Sequence, residues 1–152
     1  MCGICGIFNF DGQPVNTEVL EKMNNSMILR GPDDKGVFIR NNFGMAMRRL
    51  SIIDVEGGHQ PIANEKKNIH VILNGEIYNY VELKLDMGRV EFRTGSDCEP
   101  PLHLYLRHGL DFTRHLRGMY AITICDPAEN SLVLARDPFG IKPLYYAETA
   151  EG

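Results

Sequence analysis

Met119-Tyr120-Ala121-Ile122-Thr123-Ile124-Cys125, then Asp126-Pro127-Ala128-Glu129-Asn130-Ser131, then Leu132-Val133-Leu134-Ala135-Arg136, is the stretch that decides the fold class. Two apolar runs rich in β-branched residues flank a loop of turn formers, which reads as strand, turn, strand. Outward toward the C-terminus, residues 144–147 read as a last strand. Outward toward the N-terminus, Leu102, Leu104, Tyr105 and Leu106 lie in a helix, with Pro100 and Pro101 confined to its first turn. Residues 81–87 form a shorter helix, and residues 69–73 a strand that stops at Asn74-Gly75. Residues 37–39 and 45–53 pair as a hairpin about Asn41-Asn42. Before them, Asn16 caps a helix striped by Val19, Leu20, Met23 and Met27, which Gly31-Pro32-Asp33-Asp34 ends. Residues 2–10 are a strand closed by Asp11-Gly12. Strict strand–helix–strand alternation is absent, so the pattern predicts an α+β fold of antiparallel sheet and helices.

The 152 residues fit one domain, and 43% hydrophobic with 24% charged content excludes disorder. At this length roughly two-thirds of the unfolded surface can be buried without disulfide staples. The net charge is −4, and no Lys/Arg run exceeds two, so neither a nucleic-acid footprint nor a repeat architecture is supported. No apolar stretch approaches the ~20 residues that span a bilayer. The start carries no secretory leader, and four cysteines in such a chain predict reduced thiols and a cytoplasmic location.

Cys2 is the residue on which function turns. Removal of Met1 would leave a thiol and a free α-amine on one residue. An α-amine titrates at about 7.7–8.0, so part of it is neutral at pH 7 and can act as base for the thiol. Gly3 leaves room for a substrate beside that thiol. The rival reading pairs Cys2 with Cys5 as a C-x-x-C metal or redox unit. Zinc would need two more ligands, and no suitable second pair stands among the remaining cysteines and histidines. In a strand, Cys2 and Cys5 also face opposite ways. Cys5 is better read as a small buried hydrophobe.

Three polar features could serve an amino-acid substrate. Asn74-Gly75 is either a turn or, through its side-chain amide and backbone N–H, an oxyanion hole. Arg48 and Arg49 alternate in direction, so one points inward and could clamp a carboxylate, while Arg48 reads as the surface member. Asp97, before a helix, is either an N-cap or an acceptor for a substrate ammonium, alongside Glu76. His59 is a loop histidine.

Taken together, Cys2-Gly3-Ile4, Arg30-Gly31-Pro32-Asp33-Asp34, Arg49-Leu50-Ser51-Ile52-Ile53-Asp54 and Asn74-Gly75-Glu76-Ile77-Tyr78-Asn79 resemble the class II glutamine amidotransferase domains. So do Thr94-Gly95-Ser96-Asp97-Cys98-Glu99, Leu116-Arg117-Gly118-Met119-Tyr120-Ala121 and the run from Ala135 through Lys142 to Tyr146. The form of these motifs is similar to the N-terminal glutaminase domains of glutamine-hydrolysing asparagine synthetases. Leu29 and Met47 depart from it, standing where such domains often carry histidine, and Pro100-Pro101 stand where aliphatic residues are usual.

The resemblance implies an N-terminal-nucleophile hydrolase fold, an αββα sandwich of two antiparallel sheets flanked by helices and truncated at its C-terminus. It implies that residues 1–152 are a glutaminase domain hydrolysing L-glutamine to glutamate and ammonia. Cys2 would be the nucleophile, and Asn74 and Gly75 the oxyanion pair. Arg49 and Ile53 would hold the α-carboxylate end, and Glu76 and Asp97 the α-ammonium. No metal or cofactor is implied here. ATP and magnesium would belong to an absent synthetase domain that receives the ammonia to make asparagine from aspartate. Two alternatives stay open at this point: a domain feeding a sugar, lactam or peptide acceptor, or a non-catalytic domain keeping the fold. Retained Met1 would leave Cys2 with an amide nitrogen that has no basic lone pair, making the molecule an inactive precursor.

Overall fold

The computed structural model describes residues 1–66, 68–150 and 152. Among the described residues, seven strands form two antiparallel sheets. Sheet A holds β1 (Gly3–Phe8), β2 (Asp34–Arg40) and β3 (Phe43–Arg49) in the order β1-β3-β2. Sheet B holds β4 (Ile62–Ala63), β5 (His70–Ile77), β6 (Gly118–Asp126) and β7 (Ser131–Arg136), in sequence order. The quoted stretch is the β6–β7 hairpin, with Asp126 opposite Ser131 and Asn130 at φ 46° in its turn.

Strand alternation then builds four layers. On β3, Phe43, Met45 and Met47 face sheet B, where they meet Ile72 of β5, Cys125 of β6 and the partly buried Ile4 and Phe8 of β1. The other face of sheet A meets α1 (Thr17–Ser26) through Ala46, Leu20 and Val15. Asn16 caps that helix through the Val19 N–H, as its sequence position predicts. On β5, Val71, Leu73 and Ile77 face away from sheet A. They form the largest apolar cluster with Leu83 and Met87, in and after α2 (Tyr80–Asp86), and with Leu102 and Leu104 of α3 (Pro100–His108). Phe112, from a 3₁₀ helix over Gly109–His115, completes it. Helix, sheet, sheet, helix is thus dictated by which alternate residues are apolar.

Several sequence expectations change. The strand predicted over 69–73 does not stop at Asn74-Gly75 but runs on to Ile77, because Asn74–Ile77 pair with Ala121–Gly118. The turn reading of Asn74-Gly75 is therefore overturned. Residues 144–147 make no strand; Tyr145 and Tyr146 are both exposed. The strand predicted over 45–53 ends at Arg49. Arg48 is buried rather than superficial, its guanidinium bonded to the Asn24 carbonyl and the Asn25 side chain on the α1 face. Among the described residues no helix is long and apolar enough to cross a membrane.

Candidate active site

Both sheets are antiparallel, so Cys2 before β1, Arg49 at the end of β3, Asn74 and Glu76 late in β5 and Met119 early in β6 all fall at one end of the inter-sheet layer. There the layer opens into a cavity of about 110 Å³ lined by Cys2, Arg49, Ile53, Asn74, Gly75, Glu76 and Asp97. The structure thus brings together every site residue named from the sequence. The mechanism of convergence is strand periodicity: Ile72, Asn74 and Glu76 lie two apart on one face of β5, apolar in the layer and polar where it opens.

The thiol is half-buried beside the chain that leaves β3. Cys2 Sγ accepts from the Leu50 N–H at 3.4 Å and lies 3.8 Å from the Leu50 carbonyl. Arg30, given no role by the sequence, donates Nε–H to the Cys2 carbonyl at 3.3 Å, so its motif brackets the Cys2 backbone. Cys2 and Cys5 pack into different clusters on opposite faces of sheet A, so the pair does not converge as a metal or redox unit would require. Gly3 does not serve as a substrate gap: a Cβ there would lie 2.8 Å from the Met27 sulfur, so the space belongs to the residue that caps α1.

The β5 edge explains how one backbone donor is left for a ligand. Residues 71, 73, 75 and 77 present their N–H groups away from β6. Val71 faces β4, and the Leu73 N–H donates to Gln60 Oε1 at 2.7 Å. The Ile77 N–H donates to Asp97 Oδ2 at 2.9 Å. Gly75 lies between them, and among the described residues nothing takes its outward N–H. The residue must be glycine because a Cβ would lie 2.0 Å from the Met119 carbonyl oxygen. Asn74 is 4% exposed, yet among the described residues its carboxamide has no protein partner. Two neighbouring donors, one side chain and one backbone, therefore face the cavity.

Arg49 is buried and already partly engaged. Its Nη2 donates to the carbonyls of Ile53 (2.8 Å) and Asp54 (2.7 Å), and Nη1 to that of Val55 (3.3 Å). That leaves Nε–H and one Nη1–H for a ligand, so the bidentate fork expected from the sequence is shared with the protein's own loop. Asp54, at φ 52°, ties this loop across the site through Oδ2 to the Gly95 N–H at 2.8 Å.

Asp97 is not the N-cap of α3; that position is Glu99, and one Asp97 carboxylate oxygen, Oδ2, accepts from the Ile77 N–H at the β5 edge. The Glu99 carboxylate holds the 93–99 segment instead, accepting from the Arg93 and Thr94 N–H groups and the Thr94 hydroxyl. Burial alone would raise its pKa, but hydrogen bonds from His103, Arg93 and Thr94 bring it down to about 2. Cys98, fully buried in the cavity wall, is pushed well up by desolvation and then by the Asp97 charge, which keeps it a neutral thiol. Pro100 and Pro101 occupy the first turn of α3, where a missing N–H is harmless. His59 pairs with Asp34 at 2.6 Å, away from the cavity. The sequence reading missed Gln60 and Lys142, both cavity residues whose only local signal was a place beside a proline.

The family model of the glutamine amidotransferase domain matches residues 1–152. The chain is 45% identical over 151 residues to asparagine synthetase (glutamine-hydrolyzing) 2 of Bacillus subtilis (strain 168), covering 97% of this chain and 20% of that protein. It is 40% identical over 154 residues to asparagine synthetase (glutamine-hydrolyzing) 1 of Arabidopsis thaliana, covering 100% and 26%. The chain therefore spans about a fifth to a quarter of the length of these relatives. Among solved structures, glutamine phosphoribosylpyrophosphate amidotransferase from B. subtilis, complexed with ADP and GMP, matches with a TM-score of 0.55 and 23% identity over 92% of this chain and 32% of that one. That likeness is one of fold, a sandwich of two antiparallel sheets. With its family model matched from end to end, this chain belongs to the glutamine amidotransferase domain family.

Proposed function

We propose that residues 1–152 are a glutaminase domain that hydrolyses L-glutamine to glutamate and ammonia, with Cys2 as nucleophile once Met1 has been removed. The observation that carries this is the meeting, in one cavity, of the Cys2 thiol with the free Asn74 carboxamide and the outward Gly75 N–H.

The chemistry follows from that arrangement. The freed α-amine takes the thiol proton, and the sulfur attacks the side-chain amide carbon of glutamine. The developing oxyanion receives hydrogen bonds from Asn74 Nδ2–H and Gly75 N–H. Collapse expels ammonia, which takes its proton from the Cys2 ammonium, and leaves a γ-glutamyl thioester. Water, deprotonated by the same amine, releases glutamate and the thiol. Arg49, with the backbone of Ile53, holds the substrate α-carboxylate; Glu76 and Asp97 receive its ammonium. Fixing both ends of the amino acid sets the reach to the thiol, so asparagine, one methylene shorter, places its carbonyl short of the sulfur.

The ammonia acceptor belongs to the same reading. The relatives of 40–45% identity are named for asparagine synthesis, and each is several times longer. We place the acceptor, aspartate, with ATP and magnesium, on a synthetase domain beyond these residues, in the cytoplasm. That resemblance over the whole chain favours asparagine synthesis above a sugar, lactam or peptide acceptor, and the open donors favour catalysis above a binding role.

The test compares the protein before and after aminopeptidase removal of Met1, confirmed by intact mass. Glutamate release and Cys2 labelling by an electrophilic glutamine analogue are expected only after removal. Turnover with Met1 still attached would refute the amine-as-base mechanism, and failure to label after its removal would refute the hydrolase.

A further inference from the structure

The run Ala135-Arg136-Asp137-Pro138-Phe139-Gly140-Ile141-Lys142 carries part of the family resemblance but has no role in the chemistry above. In the structure it winds around one buried carboxylate. Asp137 Oδ1 accepts from the N–H groups of Phe139 (3.1 Å) and Ile141 (2.9 Å), and Oδ2 from those of Lys142 (3.0 Å) and Tyr120 (3.2 Å). Arg136 closes the loop from outside, Nε to the Lys142 carbonyl at 2.8 Å and Nη2 to the Gly140 carbonyl at 2.7 Å. Lys142 is thereby held at both its N–H and its C=O, and its side chain forms part of the active-site wall.

Lys142 is 8% exposed, and among the described residues it has no acidic partner. Its Nζ lies 3.4 Å from the Met1 sulfur. A thioether is a weak acceptor, and a cation this buried is costly without a better one. Met1, Cys2 and Lys142 line the same cavity, so the ammonium shares the space into which the terminal nitrogen is exposed when Met1 leaves.

We propose that Lys142 is a positioning residue for the nucleophile: beside the terminal Cys2, its charge keeps the α-amine unprotonated and the thiol reactive. The proposal rests on the N-terminal-nucleophile reading. The need for it arises from the cavity's own acids. Glu76 from β5 and Asp97 from the 93–99 segment would both hold a terminal ammonium in its charged form. Two further cations stand near the site, Arg49 at the end of β3, bonded to three loop carbonyls, and Arg30, bonded to the Cys2 carbonyl; these neutral acceptors hold the guanidiniums in place without cancelling their charge. Cys98 is neutral. Among the described residues lining the cavity, Lys142 adds a positive charge on the side where Met1 lies, and a like charge nearby disfavours protonation of the amine.

The experiment uses the Met1-free protein and follows alkylation of Cys2 by iodoacetamide from pH 5.5 to 9.5, with glutamine hydrolysis recorded separately. Lys142→Met and Lys142→Gln are expected to move the alkylation midpoint up by about half to one pH unit. Lys142→Arg should restore it, and Lys22→Met, which removes the same charge from the exposed side of α1, should leave it in place. An unmoved midpoint in a folded Lys142→Met or Lys142→Gln protein overturns the proposal. Should neither fold, NMR titration of ¹³C-labelled Cys2 in the wild type decides. An α-amine titrating below the ordinary range of about 7.7–8.0 supports the proposal, and one at or above it overturns it. A moved midpoint in a protein that hydrolyses no glutamine would uphold Lys142 and sink the hydrolase reading. Hydrolysis with an unmoved midpoint would do the reverse.

Discussion

The two ends of the inter-sheet layer are built from the same strands and behave as opposites. At the closed end, Phe8 stacks on Phe43 with ring centroids 4.4 Å apart, and Phe38 stacks on the His70 ring at 3.6 Å. At the open end, the same faces of β1, β3 and β5 carry Cys2, Arg49, Asn74 and Glu76. Moving two residues along β5, from Ile72 to Asn74, crosses from one to the other. The difference teaches that a single amphipathic rule, alternation, places both the core and the site. Only the identity of the residue at each step decides whether the interior is spent on stability or on chemistry. Asn79 makes the same point within one residue type. Its side chain bonds the His115 carbonyl and the Arg117 N–H and so is structural, whereas that of Asn74 is open to the cavity.

The comparison can be broken most sharply at Cys2. Cys2→Ala should lower glutamine hydrolysis by roughly 10⁴-fold or more while leaving the thermal midpoint near that of the parent, because the thiol makes no strong internal bond. At the other end, Ile72→Ala should cost about 2–5 kcal/mol in chemical denaturation, with kcat unchanged in the fraction that stays folded. A large loss of kcat in that folded fraction would mean that the two ends are not separable. Asn74→Ala should reduce kcat about 10²- to 10³-fold with little change in stability, because one oxyanion donor goes and no internal hydrogen bond goes with it. If instead it unfolds the protein, the open end is structural after all.

The smallest expected effect is a pH slope at the closed end. His70 is buried with Nδ1 lacking a partner, and burial first, then the Arg40 charge, lower its pKa below the ordinary 6.5. The folded state refuses a proton that the unfolded chain accepts, so stability falls as pH drops through about 6.5 toward the folded value. His70→Phe removes this contribution, and its thermal midpoint should decline less steeply from pH 7 to pH 5. Equal slopes would show that the ring charges without cost.

Much of this was legible because it is local. Antiparallel hairpins, the Asn16 cap and prolines in the first turn of α3 follow from short-range sterics and hydrogen bonding. Asn74-Gly75 misled because the dipeptide's turn preference is outweighed by pairing with β6, a partner more than forty residues away. The N-cap reading of Asp97 failed for a similar reason, since the Ile77 N–H it satisfies lies twenty residues back. Arg48 was misjudged because the helix covering its face is invisible to strand alternation. Gln60, whose side chain stands in for a neighbouring strand at Leu73, had no local signature beyond the proline that follows it.

By itself the sequence determined which residues alternate, where helices start and which motifs place the chain in the glutamine amidotransferase family. Those properties depend on neighbours along the chain and on residue type. The tertiary structure alone decided that β1, β3 and β5 would bring their polar steps to the same end. It also decided that Arg49 would be half-engaged by its own loop, and that a lysine one hundred and forty residues away would line the same cavity as Cys2. Hydrogen-bond satisfaction at a sheet edge and the charge balance of a cavity are sums over distant segments, and they exist only once the two sheets have packed.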